Sequence, residues 1–274
     1  MTRCSTPAGT PHAPQHPLAT LPAMTETSSQ LIAFIGGGNM ASALIGGLVR
    51  AGRTPASILV IDPGAAQRDK LQADFGVRTQ AAADAALAGA ALVVWAVKPQ
   101  LFAEAAAPCA AHVGSALHLS VMAGIRSSTI ARACGLAGGA ARIVRSMPNT
   151  PALIGQGIAG LFATPAVSAD ERALVEAVLV PTGQTLWVEA EADLAAVTAL
   201  SGSGPAYVFY FVEAMMAAAQ AMGLSAEQGK RLALATFDGA TALAAASSEP
   251  PEVLRERVTS KGGTTYAALQ SMRG

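Results

Sequence analysis

From Leu31 onward the chain alternates short apolar runs with longer segments of helical spacing. Leu31–Ile35, Ile58–Ile61, Ala91–Val97, Leu117–Val121 and Ile143–Met147 are unbroken apolar or β-branched runs. Each predicts a strand buried on both faces. Met40–Arg50, Ala65–Phe75 and Leu101–Ala107 have helical spacing, and Gly52 and Gly76 stop the first two. Buried strands separated by helices predict a parallel sheet covered on both sides. A twisted strand over Leu186–Val188, outside this core, completes the domain. After about Ala190 the strand pattern ends. Pro205 opens a long helix, with Ser201 or Ser203 available to cap it. Tyr207 to Val212, Met215, Met216 and Met222 make that helix apolar nearly all round. Such a helix must be enclosed on several sides, which calls for a partner subunit. Gly223 ends it, Ser225 starts a second helix reaching Ala246, and a third follows Pro250-Pro251 to about Arg257.

Residues 1–28 break this pattern. Pro7, Pro11, Pro14, Pro17 and Pro22 exclude a helix, and no apolar run has the length of a signal peptide. Either Met24 is the true start or this segment is a disordered extension. The expected organisation is therefore an extension over 1–28, an α/β domain over 29–190 and a helical domain over 191–274.

Composition narrows the function. The 274 residues hold 18 Lys+Arg and 18 Asp+Glu, so a nucleic-acid protein with its basic surplus is excluded. The uncharged stretches Ser146–Ala169 and Leu194–Val212 are interrupted by prolines and glycines, which argues against membrane spans. Cys4, Cys109 and Cys134 form no metal-ligand spacing and read as thiols of a reducing, cytoplasmic compartment. No metal site is expected. His12 and His16 lie in the extension, and His112 and His118 lie away from the motifs below, so no histidine suits catalysis. A nicotinamide reductase needs none, because the cofactor carries the hydride.

The glycine loop Gly36-Gly37-Gly38-Asn39-Met40-Ala41 follows a strand and opens a helix, as a Rossmann dinucleotide fingerprint requires. Gly36 permits the tight turn, and Gly38 lets the backbone approach a pyrophosphate at the helix N-terminus. Asp62 ends the second strand about 20 residues further on, the spacing of a ribose ligand. Its bland alternative is a turn cap before Pro63. A carboxylate there favours NAD over NADP. Lys98, in Trp95-Ala96-Val97-Lys98-Pro99, either faces the cofactor or is solvated. Arg145 to Pro151 is either a rigid turn or a rim motif whose Asn149 hydrogen-bonds a ligand. Ser201 to Pro205 is either an N-cap or an anion site. Ser260 to Thr265 is either a plain helix start or a nest for a carboxylate.

Taken in order, Phe34-Ile-Gly-Gly-Gly-Asn-Met, Ala96-Val-Lys-Pro, Arg145-Ser-Met-Pro-Asn-Thr-Pro, Ser201-Gly-Ser-Gly-Pro-Ala-Tyr and Ser260-Lys-Gly-Gly-Thr-Thr resemble the pyrroline-5-carboxylate reductase family. The resemblance covers Leu31 to about Leu269. It implies reduction of 1-pyrroline-5-carboxylate to L-proline by NADPH or NADH, in a Rossmann domain followed by an all-α dimerisation domain. It also implies a homodimer, often built into rings of dimers. On this chain it implies that Ile35, Gly36, Gly37, Gly38, Asn39 and Met40 hold the pyrophosphate and Asp62 the ribose. Ala96, Val97, Lys98 and Pro99, with Val121, Met122 and Ala123, line the cofactor. Gly262, Gly263, Thr264 and Thr265 hold the substrate carboxylate from the partner subunit, with Thr265 near the imine nitrogen as the catalytic candidate. Asn149 and Ser203 are the remaining substrate-side candidates.

Three positions and the chain's end depart from the family pattern. Lys261 stands where proline is frequent, and Ala83 where some members have a cofactor-side asparagine. Asp62 replaces a small polar residue, which sharpens the NADH preference. The chain also stops at Gly274, where the family usually adds a helix. Competing readings are a related imine reductase, a β-hydroxyacid enzyme, or an inactive paralogue that binds nucleotide or a partner. The β-hydroxyacid enzyme is disfavoured because the long helix carries Glu213 and no lysine.

Overall fold

The computed structural model describes residues 30–136 and 140–273. The expected extension over 1–28, the alternative start at Met24 and the terminal Gly274 lie outside the described residues. Two compact units divide between Thr198 and Ala199.

The first unit holds an eight-stranded sheet of order β3-β2-β1-β4-β5-β6-β7-β8. Its strands are β1 (Leu31–Ile35), β2 (Ile58–Ile61), β3 (Arg78–Gln80), β4 (Ala90–Trp95), β5 (Leu117–Ser120), β6 (Ile143–Met147), β7 (Gly157–Ala163) and β8 (Gly183–Trp187). β1 to β6 are parallel, β7 is antiparallel to β6, and β8 is parallel to β7. The helices are α1 (Asn39–Arg50), α2 (Ala65–Phe75), α3 (Phe102–Ala106), α4 (Ser127–Ala133), α5 (Ala169–Leu179) and α6 (Leu194–Val197).

Alternate residues of one strand enter two different cores, which is why these runs are apolar throughout. Ile32 and Phe34 pack with Leu44, Leu71 and Val175 from α1, α2 and α5. Ala33 and Ile35 pack with Phe102 and Ile130 from α3 and α4. The expected strands over residues 31–35, 58–61, 91–97, 117–121 and 143–147 are all present. β3 and β7 were not foreseen. β3 is a short polar edge strand, and β7 carries two glycines inside a proline-rich stretch. The strand expected at Leu186–Val188 outside the core is β8, and it joins the sheet beside β7. α5 is announced by Ser168 and Glu171, which form a reciprocal capping box.

The second unit is helical, with α7 (Gly204–Ala221), α8 (Ala226–Ala246), α9 (Pro251–Arg257) and α10 (Thr264–Met272). Ser225 caps α8 by a box with Gln228. Ser203 occupies the N-cap position of α7, but its side chain makes no capping bond there, contrary to expectation; proline sits in the first turn instead. α7 packs on α8, with the Phe211 and Phe237 rings 6.3 Å apart. Only Val212 and Ala219 of α7 are buried. Tyr207, Phe209, Tyr210 and Met222 stand exposed. The run Glu191–Ala221 is long and apolar enough to cross a membrane by length and composition, with 6 % of its most apolar window buried. A π-turn at Thr198–Gly202 and Pro205 interrupt it.

One buried polar group sits in the centre of the sheet. His118 is fully buried; its Nδ1 accepts from Trp95 Nε1 (3.0 Å) and its Nε2 lies 3.2 Å from the Val113 carbonyl. Desolvation lowers its pKa from 6.5 to about 4, against the opposing effect of the Val113 bond. The folded state thus holds imidazole neutral where the unfolded chain would protonate it. The stabilisation is complete above pH 6.5 and is lost as pH falls through 4, an effect of about 3 kcal/mol. Urea unfolding of the wild type should show this slope between pH 7 and 4, and His118→Gln should flatten it; equal slopes would remove His118 as the cause.

Candidate active site

The site forms at the carboxyl ends of β1, β2 and β4, where an open α/β sheet binds ligands. Two backbone bonds fix the glycine loop. Gly36 N–H donates to the Ile61 carbonyl, and Ala96 N–H donates to the Ile35 carbonyl, both at 2.8 Å. Gly36 has φ +94, and a Cβ there would lie 2.7 Å from the Ala96 oxygen. Only glycine fits so close a crossing. Gly38 differs: a Cβ there would meet no protein atom within 4 Å. Its missing side chain therefore leaves room on the ligand side. Gly38 is the N-cap of α1 and supplies no side-chain cap, so the first N–H groups of the helix remain available to an anion.

Asp62 anchors the other side of the loop. Its Oδ2 accepts from Gly37 N–H and its Oδ1 from Gly64 N–H, each at 2.8 Å. Each oxygen keeps a further acceptor position for a hydroxyl. Arg68 folds back and donates to the carbonyls of Asp62 (2.8 Å) and Pro63 (2.9 Å).

A cleft of about 520 Å³ opens here, lined among others by Ile35, Gly36, Gly38, Asp62, Ala96, Val97 and Lys98. That volume is in the range of small-molecule sites, roughly 300–1,000 Å³. Gly loop, carboxylate and helix start together fit a dinucleotide. Gly37 is buried behind the loop, and Asn39 and Met40 begin α1, with Met40 turned to the core. Pro99 starts the short helical turn after Lys98. Ala83 is on the cleft wall. Ala81, Ala82, Glu104, Pro108 and Cys109 also line the cleft and were not foreseen. Ala81 and Ala82 follow the unrecognised strand β3, and small apolar residues carry no chemical signal. The Cys109 thiol donates to the Ala105 carbonyl (3.2 Å), and burial pushes its pKa up to about 11.

Val121, Met122 and Ala123 lie apart from these cleft-lining residues, in the loop from β5 to α4. Val121 N–H donates to the Trp95 carbonyl at 3.1 Å. Met122 is buried in the core and Ala123 is exposed. Asn149 uses its Oδ1 to accept from Ile158 N–H (3.0 Å), which joins the end of β6 to β7.

The remaining candidates are in the helical unit. Ser203 precedes α7. Gly262 has φ +75, and Gly263 N–H donates to the Ser260 carbonyl (3.0 Å). Gly263 is the N-cap of α10 and gives no side-chain cap, so Thr264 and Thr265 start a helix with unpaired N–H groups. Beside this turn a hollow of about 280 Å³ is lined by Arg255, Lys261 and Arg273. Glu256 lines it too and lies 3.8 Å from Arg255, which leaves a net positive charge suited to an anion.

These features define a Rossmann-type oxidoreductase joined to a helical unit. Residues 31–124 match the family described as NADP oxidoreductase coenzyme F420-dependent, and residues 191–274 match pyrroline-5-carboxylate reductase dimerisation. A pyrroline-5-carboxylate reductase of Pseudomonas aeruginosa is 43 % identical over 249 residues, covering 90 % of this chain and 89 % of that one. The solved reductase of Coxiella burnetii has a TM-score of 0.81 at 35 % identity, covering 89 % of this chain and 90 % of its own. That of Plasmodium falciparum, with NADP bound, has a TM-score of 0.80 at 26 % identity, covering 90 % of each chain. The chain belongs to the pyrroline-5-carboxylate reductase family. It is an NAD(P)H-dependent oxidoreductase acting on the C=N bond of 1-pyrroline-5-carboxylate to give L-proline. The matches support this reading over the inactive paralogue.

The two loop glycines separate strain from occupancy. Gly38→Ala should keep the wild-type thermal midpoint and weaken dinucleotide binding about tenfold, or about 1.4 kcal/mol, in a calorimetric titration. Gly36→Ala should lose both stability and binding. Unchanged affinity in Gly38→Ala would overturn the assignment of the cleft.

Proposed function

We propose that the cofactor lies along Ile35 to Met40, with the N-terminus of α1 facing its pyrophosphate and Asp62 accepting from the adenosine ribose. The reading is carried by the Asp62 carboxylate, fixed by two backbone amides beside a glycine with open space in front of it. The same carboxylate repels a 2′-phosphate, and Arg68 is held by carbonyls rather than free to offset that charge. NADH is accordingly the preferred reductant. Ala96 to Pro99 and Val121 to Ala123 complete the cofactor side.

When bound, the reduced nicotinamide supplies a hydride to C5 of the pyrroline ring. The chain's own work is orientation and charge. Gly262, Gly263, Thr264 and Thr265 hold the substrate carboxylate through the free N–H groups at the start of α10. Thr265 donates or positions a proton at the ring nitrogen, so that the C=N bond accepts hydride as an iminium. Asn149 and Ser203 contribute at the rim of the substrate.

The domain assignment that goes with this reading is a cofactor domain over 29–190 and a dimerisation domain over 191–274. The exposed aromatic face of α7 is buried by a second copy, in a cytoplasmic homodimer. Support comes from the match of 191–274 to a dimerisation family and from the large apolar side chains left exposed on that helix. Rings of dimers add a second contact to this one, and a sedimentation mass of one chain would overturn the dimer.

Steady-state kinetics with both cofactors tests the site. NADH should have the higher kcat/KM, and Asp62→Ser should move the ratio toward NADPH about tenfold, roughly 1.4 kcal/mol. A strong wild-type NADPH preference would refute the role of Asp62. Thr265→Ala should lower kcat/KM for the imine by about 10²-fold. Full activity in that variant would remove Thr265 from the mechanism.

A further inference from the structure

One partly buried charge cluster lies outside the cleft and is unused by the chemistry above. The Glu191 carboxylate receives three hydrogen bonds. Its Oε1 accepts from Ser127 N–H (2.6 Å) and from Arg145 Nη1 (3.1 Å), and its Oε2 accepts from the Ser127 hydroxyl (3.1 Å). The side chains are largely withdrawn from water, 10 % exposed for Arg145 and 25 % for Glu191. Ion pairs with that little exposure are geometrically demanding, because an unpaired buried charge is costly. Arg145 ends the parallel part of the sheet on β6. Ser127 is the first residue of α4, whose own N-cap, Arg126, offers no side-chain bond. Glu191, 64 positions away in the chain, takes over that role.

The loop over residues 121–126 hangs between two fixed points. At its start, Val121 N–H is held by the Trp95 carbonyl and Met122 N–H by Ser120 Oγ (3.3 Å). At its end it enters α4 at Ser127, where Glu191 grips both donors. Trp95 immediately precedes the cleft residue Ala96, so the first anchor is set by the cofactor side of the sheet. The second is set by Glu191, held in turn by Arg145.

We propose that Glu191 is a positioning residue for hydride transfer: by clamping Ser127 to Arg145 it fixes the loop 121–126 on the side of the sheet where the reduced nicotinamide would be held. This rests on the reading of Val121–Ala123 as a cofactor-side loop. The clamp leaves the pyrophosphate and ribose contacts untouched, since those belong to Gly36–Met40 and Asp62. Its loss therefore separates turnover from affinity.

Ser127→Pro tests this directly. It deletes both donors at the first position of a helix, where proline is well tolerated. Arg126, at φ −73 and ψ 152, already has the extended backbone that a following proline requires. The thermal midpoint should stay within a few degrees and the dinucleotide Kd within about twofold, while kcat falls about tenfold. Ser127→Ala, which keeps the N–H bond to Glu191, should retain at least about half of kcat. A kcat in Ser127→Pro within about twofold of wild type, or a parallel loss of dinucleotide affinity, would overturn the clamp. If Ser127→Pro does not fold, Glu191→Ala, which removes the acceptor of both Ser127 donors and the partner of Arg145, is read by the same kcat and dinucleotide Kd criteria. Ala123→Glu, in the exposed part of the loop, distinguishes the underlying reading. If it changes neither kcat nor affinity, the loop is not cofactor-side and the clamp falls with it. If it impairs turnover while Ser127→Pro does not, the clamp alone is wrong.

Discussion

The site depends on one close crossing: the backbone of Gly36 passing the carbonyl of Ala96 at a distance no side chain allows. That crossing is possible because β1 lies between β2 and β4 in a parallel sheet, with Ile35 and Trp95 in register at its carboxyl end. The sheet in turn is held by two separate apolar cores, one on each face. A strand residue moved by one position would enter the wrong core, so the register is heavily constrained. The loop therefore emerges at a fixed height with its N–H groups and Asp62 already arranged. Binding energy is not consumed in ordering it.

Most of this architecture was legible in the sequence, for physical reasons that differ by element. β1, β2 and β4 announce themselves because doubly buried strands must be apolar at every position. The Gly36–Asp62 spacing was legible because it reflects a fixed path from one strand end to the next. β3 was not, since three half-exposed residues need no apolar pattern. β7 was hidden by glycines and flanking prolines that read as a loop. The anchor of Asn149 on Ile158 was invisible for the same reason: its partner lies on that unrecognised strand. Likewise nothing in the local sequence links Glu191 to Ser127, since the contact exists only once β8, which precedes Glu191, has joined the sheet through β7 and β6 to β5.

Charge is scarce, 13 % of residues, and the structure uses it sparingly. Within the first unit, Asp62 faces backbone amides, Arg145 faces Glu191, and Arg142 faces Glu171. Each pairing joins elements that are distant in sequence or sets a loop. The helical unit differs: its apolar side chains are turned outward on α7, while Arg255, Lys261 and Arg273 gather beside the Gly262–Thr265 turn.

The setting of Trp95 gives the protein an internal optical reporter. Of the two tryptophans, Trp187 lies under the Arg172 guanidinium near the sheet edge. Trp95 is sealed between the Phe102 ring, which meets it edge-on, and the His118 imidazole, to which its Nε1 donates in the ring plane, one residue before the cleft wall. A neutral imidazole is a weak quencher and a rigid neighbour, so this indole should emit as a buried, narrow-band fluorophore. Indole emission overlaps the absorption of a reduced nicotinamide. Resonance transfer from Trp95 would then follow the redox state of the cofactor in real time, without any label.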